Sequence, residues 1–199
     1  MTQGGSGRPS EARSRLLDTA SRIFYAEGLH SVGVDRIITE AETTRATFYR
    51  HFPSKEDLVT SYLREADHAL RERFARSLAD STAPEDAIRA VASDIAADIQ
   101  RAGFRGCAFL NAAAEYPDPT HPVHRQVMEH RDWFLGAMTE LYDQVGDGPA
   151  EPPARHFVML RDGAMVAGCL ADPDAVRTTF LGGVEGLLWS RTVDHSSRT

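Results

Sequence analysis

Apolar residues recur at intervals of three and four along most of the chain, which is the spacing of amphipathic α-helices. The first such stretch follows Ser10, a favourable capping residue, and ends at Gly28, where a helix stop is expected. Val34 begins a short second helix, and Thr44 caps a third that ends near His51. No segment alternates apolar and polar residues as a strand would, so the pattern predicts an all-α fold.

The rest of the pattern predicts six further helices, which makes about nine in all. A long helix follows the cap at Ser54, and the next begins at Pro84, a residue suited to a first helical turn. The prolines and glycines at 146–153 predict a loop. The expected later helices cover 54–79, a stretch from 84 to before Gly103, about 104–115, a stretch after the proline-rich turn at 116–122, about 154–171 and about 173–191.

Charge is distributed unevenly along the chain. The formal net charge of −7 argues, on average, against a nucleic-acid partner, because phosphate binding needs a positive surface. The excess of acid lies in residues 81–199, with ten basic and seventeen acidic residues, whereas residues 1–80 carry twelve of each. Residues 43–55 contain no carboxylate but include Arg45, Arg50, His51 and Lys55. The early part of the chain therefore has a local positive patch.

The second and third predicted helices have the spacing of a helix-turn-helix unit, in which the second helix enters the major groove. Arg45 is placed for a bidentate contact to guanine, and Thr47 for a base or a phosphate. The alternative is a small helical domain whose basic residues only solvate one face. The candidate DNA-binding residues are Thr44, Arg45, Thr47, Tyr49, Arg50, His51 and Lys55.

Residues 43–58, TTRATFYRHFPSKEDL, resemble the recognition helix and following cap of the TetR/AcrR transcriptional regulators, and Ala20 and Phe24 fit that family's first helix. The resemblance covers about residues 10–63. It implies a helix-turn-helix domain at 10–53, after a flexible arm at 1–9, and a helical regulatory and dimerisation domain at 54–199 with a linking helix at 54–79. The family usually has glycine where this chain has Glu42, so a left-handed backbone there would cost about 1 kcal/mol.

The resemblance also implies that the last two helices pair with a second copy in a homodimer. Small residues in both helices agree, because they allow close helix approach, although internal packing is the alternative. The candidate interface residues are Ala164, Ala167, Gly168, Ala171, Gly182, Gly183 and Gly186.

A small-molecule site is expected in the second part of the chain. Asn111 and Glu115 are four residues apart and could project from one helix face into a pocket. Two alternatives remain open: these side chains brace the proline-rich turn, or Glu115 binds a metal with His121 and His124. The candidate ligand-binding residues are Phe109, Asn111, Glu115, Tyr116, Trp133 and Phe134.

Several function classes are excluded or disfavoured. The two cysteines, Cys107 and Cys169, exclude a disulfide framework and are expected to be reduced, small and buried, with a redox role as the alternative. No signal-peptide layout and no membrane-length apolar stretch is found, which favours the cytoplasm. The usual nucleotide-binding, metalloprotease and hydrolase motifs are missing, so neither an enzyme nor a bound cofactor is expected.

The sequence therefore predicts a ligand-responsive transcriptional regulator. It is expected to be a homodimeric repressor that a small molecule releases from a near-palindromic operator in double-stranded DNA. Two alternatives are a ligand-independent DNA-binding protein and an enzyme that uses Glu115 and the nearby histidines.

Overall fold

The computed structural model describes residues 10–146 and 148–196, with only the backbone at 192–196. The arm predicted at 1–9 lies outside the described residues. Within them all regular structure is helical, in nine helices, which confirms the all-α prediction. The helices are α1 (Glu11–Glu27), α2 (Val34–Glu40), α3 (Arg45–His51), α4 (Lys55–Ala79), α5 (Pro84–Ile99), α6 (Ala108–Glu115), α7 (Pro122–Asp143), α8 (Glu151–Ala167) and α9 (Pro173–Ser196).

Helices α1 to α3 form a small bundle around one apolar core. The Ser10 hydroxyl accepts the Arg13 amide at the start of α1, and Gly28 ends that helix with a φ of +93°, a left-handed conformation that favours glycine. The buried face of each helix is the one that the apolar spacing predicts. Its fully buried members include Leu16, Ala20 and Ile23 of α1, Ile37 of α2 and Phe48 of α3.

Helix α4 connects this bundle to the other helices. The Ser54 hydroxyl accepts the amide of Asp57 and so caps the helix. Near its start α4 packs on α1, where the rings of Tyr62 and Phe24 lie 5.9 Å apart, and further along it contacts α5, α6 and α7. Helices α8 and α9 pack on each other, on α5 and, through α8, on α7. No described helix is long and apolar enough to cross a membrane.

Four predicted helix ends are wrong, and one of them is the end of α9, which lies at Ser196 instead of near residue 191. Helix α6 begins at Ala108 instead of near residue 104, because Gly103 and Gly106 have φ angles of +79° and +84°, which no helix accommodates. Helix α8 begins at Glu151 inside the predicted loop, because prolines are tolerated in a first helical turn. It ends at Ala167 instead of near 171, where the chain tightens into a turn ahead of Pro173.

Candidate functional site

The third helix presents a polar face to solvent. The Thr44 hydroxyl accepts the amide of Thr47 and starts α3, while Phe48 is fully buried with its ring 6.1 Å from that of Phe52. Burial of these two rings fixes the rotation of the short helix. The side chains of Arg45, Tyr49 and Arg50 are exposed as a result, and Thr47 is half-buried.

Arg45 has an ion-pair partner that the sequence did not reveal. Its guanidinium contacts the carboxylate of Asp35 in α2, and both side chains remain largely exposed. This pair holds Arg45 against the preceding helix, and DNA would have to compete with Asp35 for it. At the other end of α3, His51 Nε2 lies 3.1 Å from the Ser10 hydroxyl.

Lys55 stands at the first position of α4, beside the loop that joins α1 to α2. Its ammonium group donates to the His30 carbonyl over 3.5 Å, and burial lowers the pKa of Lys55 below its ordinary value. The amides at the start of α4 are close to the same place, which favours a bound anion there. Lys55 thus lies at the start of α4 against the α1–α2 loop, and its contact with a phosphate stays a prediction.

The turn between α2 and α3 contains the left-handed residue that the sequence suggested. Glu42 has a φ of +49°, the only positive φ among the described residues other than glycine. Its side chain is exposed, so nothing in the packing requires a glutamate there. The turn therefore forms with glutamate at a backbone cost of about 1 kcal/mol.

A cavity of about 400 Å³ separates the α1–α3 bundle from the remaining helices. It is bounded by α1, α4, the end of α5, the segment between α5 and α6, α6 itself and α8, and we call it the central cavity. Aromatic side chains supply much of its wall, and three arginines and one aspartate supply its charge. The aromatic residues are Tyr25, Tyr62, Phe104 and Phe109, and the charged residues are Arg22, Asp98, Arg101 and Arg161.

The six candidate ligand-binding residues do not share one pocket, which corrects the sequence prediction. Phe109 lines the central cavity, whereas Trp133 and Phe134 line a separate cavity of about 40 Å³ beside His130. Asn111 and Glu115 face an outer cleft next to the end of α1, because the two-turn helix α6 directs that face away from the cavity. The Asn111 amide donates to the Arg105 carbonyl over 2.9 Å, and Tyr116 packs on the rings of His30 and His121.

Glu115 binds the backbone of the helix-turn-helix bundle. Its two carboxylate oxygens accept the amides of Leu29 and His30 at 2.8 and 2.6 Å, and His30 Nε2 donates to the Glu115 carbonyl at 2.8 Å. Of the three alternatives for this residue, bracing is the one observed. The braced segment is the α1–α2 loop, however, and not the proline-rich turn.

The contacts of His121 and His124 do not support the alternative in which Glu115 binds a metal with these two histidines. His121 Nδ1 accepts the amide of Val123 at the start of α7, and His124 Nδ1 donates to the Tyr116 carbonyl. Among the side chains described at 10–146 and 148–191, no group of three or more histidines, cysteines or acidic residues could hold a metal ion.

Tyr25 links the cavity wall to the segment before α6. Its hydroxyl donates to the Gly106 carbonyl and accepts the Arg105 amide, each over 3.0 Å. Tyr25 comes from α1, so the helix-turn-helix bundle itself forms part of the cavity wall. The sequence contained no signal for this role, because the partners lie some eighty residues away.

Arg161 is the most deeply buried charged side chain at the cavity, with 5% of its surface exposed. Its guanidinium lies 2.9 Å from Asp162 and 3.3 Å from the Cys107 sulfur, and its carbon lies 5.1 Å from the Phe134 ring centre. Cys107 is buried as expected. Cys169 is exposed, which corrects the expectation that both thiols are buried.

The candidate interface residues of α8 and α9 divide into two groups. Ala164 is buried, and Gly168 faces α5 so closely that a Cβ would lie 2.7 Å from Ile99, while Gly183 faces Leu160. These three serve internal packing, and Ala167 is half-buried. The exposed members are Ala171, Gly182 and Gly186.

A row of exposed apolar side chains that the sequence analysis missed runs beside these exposed small residues. Met159 and Val166 of α8 are 71% and 53% exposed, Leu170 in the turn after α8 is 81% exposed, and Trp189 of α9 is 68% exposed. Met159 and Val166 are seven residues apart and so lie on one face of α8, and Leu170 follows four residues after Val166. We call these four residues the α8–α9 stripe.

Comparison with known proteins agrees with the geometry of α1 to α4. The family model described as "Bacterial regulatory proteins, tetR family" matches residues 16–62. The crystal structure of SCO4454, a TetR-family transcriptional regulator from Streptomyces coelicolor, is 60% identical with a TM-score of 0.90, over 92% of this chain and 96% of that one.

More distant relatives agree over less of the sequence. The HTH-type transcriptional regulator LmrA of Bacillus subtilis is 28% identical over 86 residues, which cover 43% of this chain and 46% of LmrA. The match thus spans less than half of that relative's length. A TetR-family regulator from Agrobacterium tumefaciens has the same fold, with a TM-score of 0.78 at 22% identity, over 92% of this chain and 99% of that one.

Proposed function

The chain belongs to the TetR family of DNA-binding transcriptional regulators and is not an enzyme, and we propose that it is a repressor released from DNA by a small molecule. In this proposal residues 10–53 bind DNA, residues 54–199 bind the ligand and dimerise, and the protein works in the cytoplasm on a near-palindromic operator. The observation that carries the proposal is the position of Tyr25 between the DNA-binding bundle and the central cavity. One side chain of the DNA-binding bundle both lines the central cavity and bonds the segment before α6.

The α3 face supports a division of labour on DNA. We propose that Arg45 reads a base edge, since it projects from the first turn of α3, and that Lys55 holds a phosphate beside that face. The remaining candidates Thr44, Thr47, Tyr49, Arg50 and His51 surround these two.

Substitution separates these roles. Arg45→Ala is expected to relax sequence preference, while Lys55→Ala weakens binding to all duplexes about equally and lowers the salt slope by about one. Fluorescence anisotropy on a selected and a scrambled duplex, across a salt series, measures both effects. If both variants alter preference and salt slope in the same way, the assignment fails.

Two connections support ligand control of the DNA-binding bundle. Tyr25 bonds the backbone at Arg105 and Gly106, and Glu115 bonds the backbone of the α1–α2 loop at Leu29 and His30. Both connect the bundle to α6 and the segment before it, which bound the central cavity. We propose that a ligand in this cavity favours a different arrangement of α6 against α1, so that the population shifts to a spacing of the two α3 helices that no longer fits the half-sites.

The surface of α8 and α9 supports a homodimer. The α8–α9 stripe and the exposed glycines Gly182 and Gly186 combine apolar side chains with positions that let helices approach closely. A second copy of the same two helices would bury this surface by two-fold symmetry and would set two α3 helices at a fixed separation, as a near-palindromic operator requires. Sedimentation velocity across a concentration series tests this step.

A Tyr25→Phe variant tests the proposed coupling. The phenyl ring keeps the cavity wall but removes both hydrogen bonds to the segment before α6. Its expected phenotype is DNA binding at nearly the affinity of the unsubstituted protein with a weakened response to ligand. Tyr142→Phe, which removes a buried hydroxyl of α7 that has no hydrogen-bond partner among the described residues, is the matched control and is expected to keep the ligand response. An unchanged response in Tyr25→Phe would contradict the coupling.

A further inference from the structure

The charge around Arg161 is not balanced by the protein. The nearest carboxylate is that of Asp162, 2.9 Å away, but its other oxygen lies 2.8 Å from Arg131, so two guanidinium groups share one carboxylate. Arg161 keeps its positive charge at any pH of interest, because arginine does not deprotonate in proteins. The cluster of Arg131, Arg161 and Asp162, of which Arg161 is buried and the other two are partly exposed, therefore carries one positive charge in excess.

Other groups next to Arg161 do not cancel this excess. His130 is buried on the same side, and burial lowers its pKa to about 4, so it is neutral at physiological pH. Its partner Asp67 is shared with Arg71, which leaves that group without net charge. Cys107 meets the guanidinium through sulfur at 3.3 Å, a weak acceptor.

The excess charge faces the central cavity. Among the charged residues that line the cavity, Arg22 is paired with Glu40 and Arg101 with Asp98, which also pairs with Arg73 outside the cavity, so Arg161 has no carboxylate partner in the cavity wall. Arg161 is the most deeply buried of these arginines. A buried cation without a full counter-charge is unfavourable, and an anion entering the cavity would relieve that cost.

The rest of the central cavity wall favours a ligand with an apolar body. Tyr25, Tyr62, Phe104 and Phe109 present ring surfaces, and Leu70 and Met165 add aliphatic surface. A volume of about 400 Å³ is within the range of small-molecule sites. Because only 5% of Arg161 is exposed, a carboxylate–guanidinium pair formed there would be screened less than a pair at the surface.

We propose that the central cavity binds a hydrophobic carboxylate whose apolar body packs among the aromatic side chains and whose carboxylate pairs with Arg161. The inference rests on the proposed ligand-responsive function and names the chemical class of its ligand. It also gives Arg161 the role of counter-ion to the ligand, a role separate from the hydrogen bonds of Tyr25 and Glu115.

The test compares carboxylates with the carboxamides of the same shape. Isothermal titration calorimetry of the full chain measures the binding of 2-naphthoate against 2-naphthamide, indole-3-acetate against indole-3-acetamide and 4-phenylbutyrate against 4-phenylbutyramide. In at least one pair the carboxylate is expected to bind at least ten times more tightly than its amide. The same carboxylate is expected to release the protein from its operator in fluorescence anisotropy.

Two variants test whether Arg161 is the residue that pairs with the ligand carboxylate. Arg161→Gln is expected to abolish the preference for the carboxylate. Arg125→Gln, which removes an exposed guanidinium of α7 that does not line the central cavity, is the control and is expected to keep the preference. Thermal melting of each variant reports whether it folds, and the comparison of acids with amides in the unsubstituted protein stands even if Arg161→Gln does not.

The inference is overturned if no carboxylate of the three pairs binds, if acids and amides bind equally, or if folded Arg161→Gln keeps the preference. Failure of this inference can be distinguished from failure of the proposed function. An amide that binds and releases DNA would keep the ligand-responsive regulator and remove only the anion assignment. If none of the six compounds and no member of a broader set of neutral and cationic small molecules changes DNA affinity, the ligand-responsive function fails as well.

Discussion

Replacing Glu115 with glutamine should loosen the contact between α6 and the DNA-binding bundle. The carboxylate accepts two backbone amides, from Leu29 at 2.8 Å and from His30 at 2.6 Å. A hydrogen bond to a charged group contributes about 1.5–3 kcal/mol. Glutamine keeps one acceptor, but its NH₂ group then faces the second amide and leaves that amide unpaired.

The expected loss follows from this geometry. One charge-assisted bond disappears and the other becomes neutral, but Glu115 is partly exposed and solvent screens part of the effect. We expect a loss of about 2 kcal/mol in unfolding free energy, which for a chain of this length lowers Tm by about 4–8 °C. Hydrogen exchange at the Leu29 and His30 amides should become faster in the same variant.

Glu129→Gln is the matched control, since Glu129 is an exposed residue of α7 whose substitution makes the same change of charge. It is expected to melt within about 1 °C of the unsubstituted protein. Equal Tm values for the Glu115 and Glu129 variants, with unchanged exchange at Leu29 and His30, would refute the bracing role of Glu115.

Three further predictions address the turn, the core and the dimer. Glu42→Gly should exceed Glu42→Ala in stability by about 1 kcal/mol in chemical denaturation, because φ is +49° there; equal values would contradict backbone strain. Because burial lowers the pKa of His130 to about 4, below its unfolded value, its stabilising effect is present above pH 6.5 and is lost as pH falls towards 4. About 2 kcal/mol should therefore be lost between pH 7 and pH 5, and His130→Gln should flatten that profile; a profile that does not change would contradict it. Met159→Glu should dissociate the dimer in sedimentation velocity, whereas Met128→Glu, on α7, should leave it intact; the same assembly state for both would contradict the interface.

Local chemistry explains which helix ends the sequence predicted well. The ends at Ser10, Gly28, Thr44 and Ser54 depend on one side chain or one backbone conformation, which a short stretch of sequence specifies. Helix α6 starts later than predicted because Gly106 adopts a positive φ, and the apolar spacing before it carries no such information.

The exposure of the proposed DNA-binding face could be predicted from the sequence for the same reason. All of its residues lie within two turns of α3 or at the start of α4, so their side-chain directions follow from helical spacing once Phe48 is placed inward. The exception is Asp35, whose pairing with Arg45 depends on how α2 packs on α3.

The central cavity could not be predicted because its wall is assembled from residues far apart in sequence. Tyr25 contacts the segment before α6, which lies some eighty residues further along the chain, and Arg161 contacts Cys107, which lies 54 residues earlier. The spacing of Asn111 and Glu115 correctly placed both on one helix face, but not what that face meets. Similarly, small residue size at Gly168 did not distinguish internal packing from an interface.

The central claim is that this chain is a sequence-specific DNA-binding regulator, and the most direct measurement is fluorescence anisotropy on labelled duplexes. The purified protein would be titrated onto the duplex that it selects from a random-sequence library and onto a scrambled duplex of the same composition, across a salt series. The account predicts tight binding to the selected, near-palindromic duplex, much weaker binding to the scrambled one, and affinity that falls as salt rises. Failure to bind either duplex at low salt, or equal affinity for both, would contradict it.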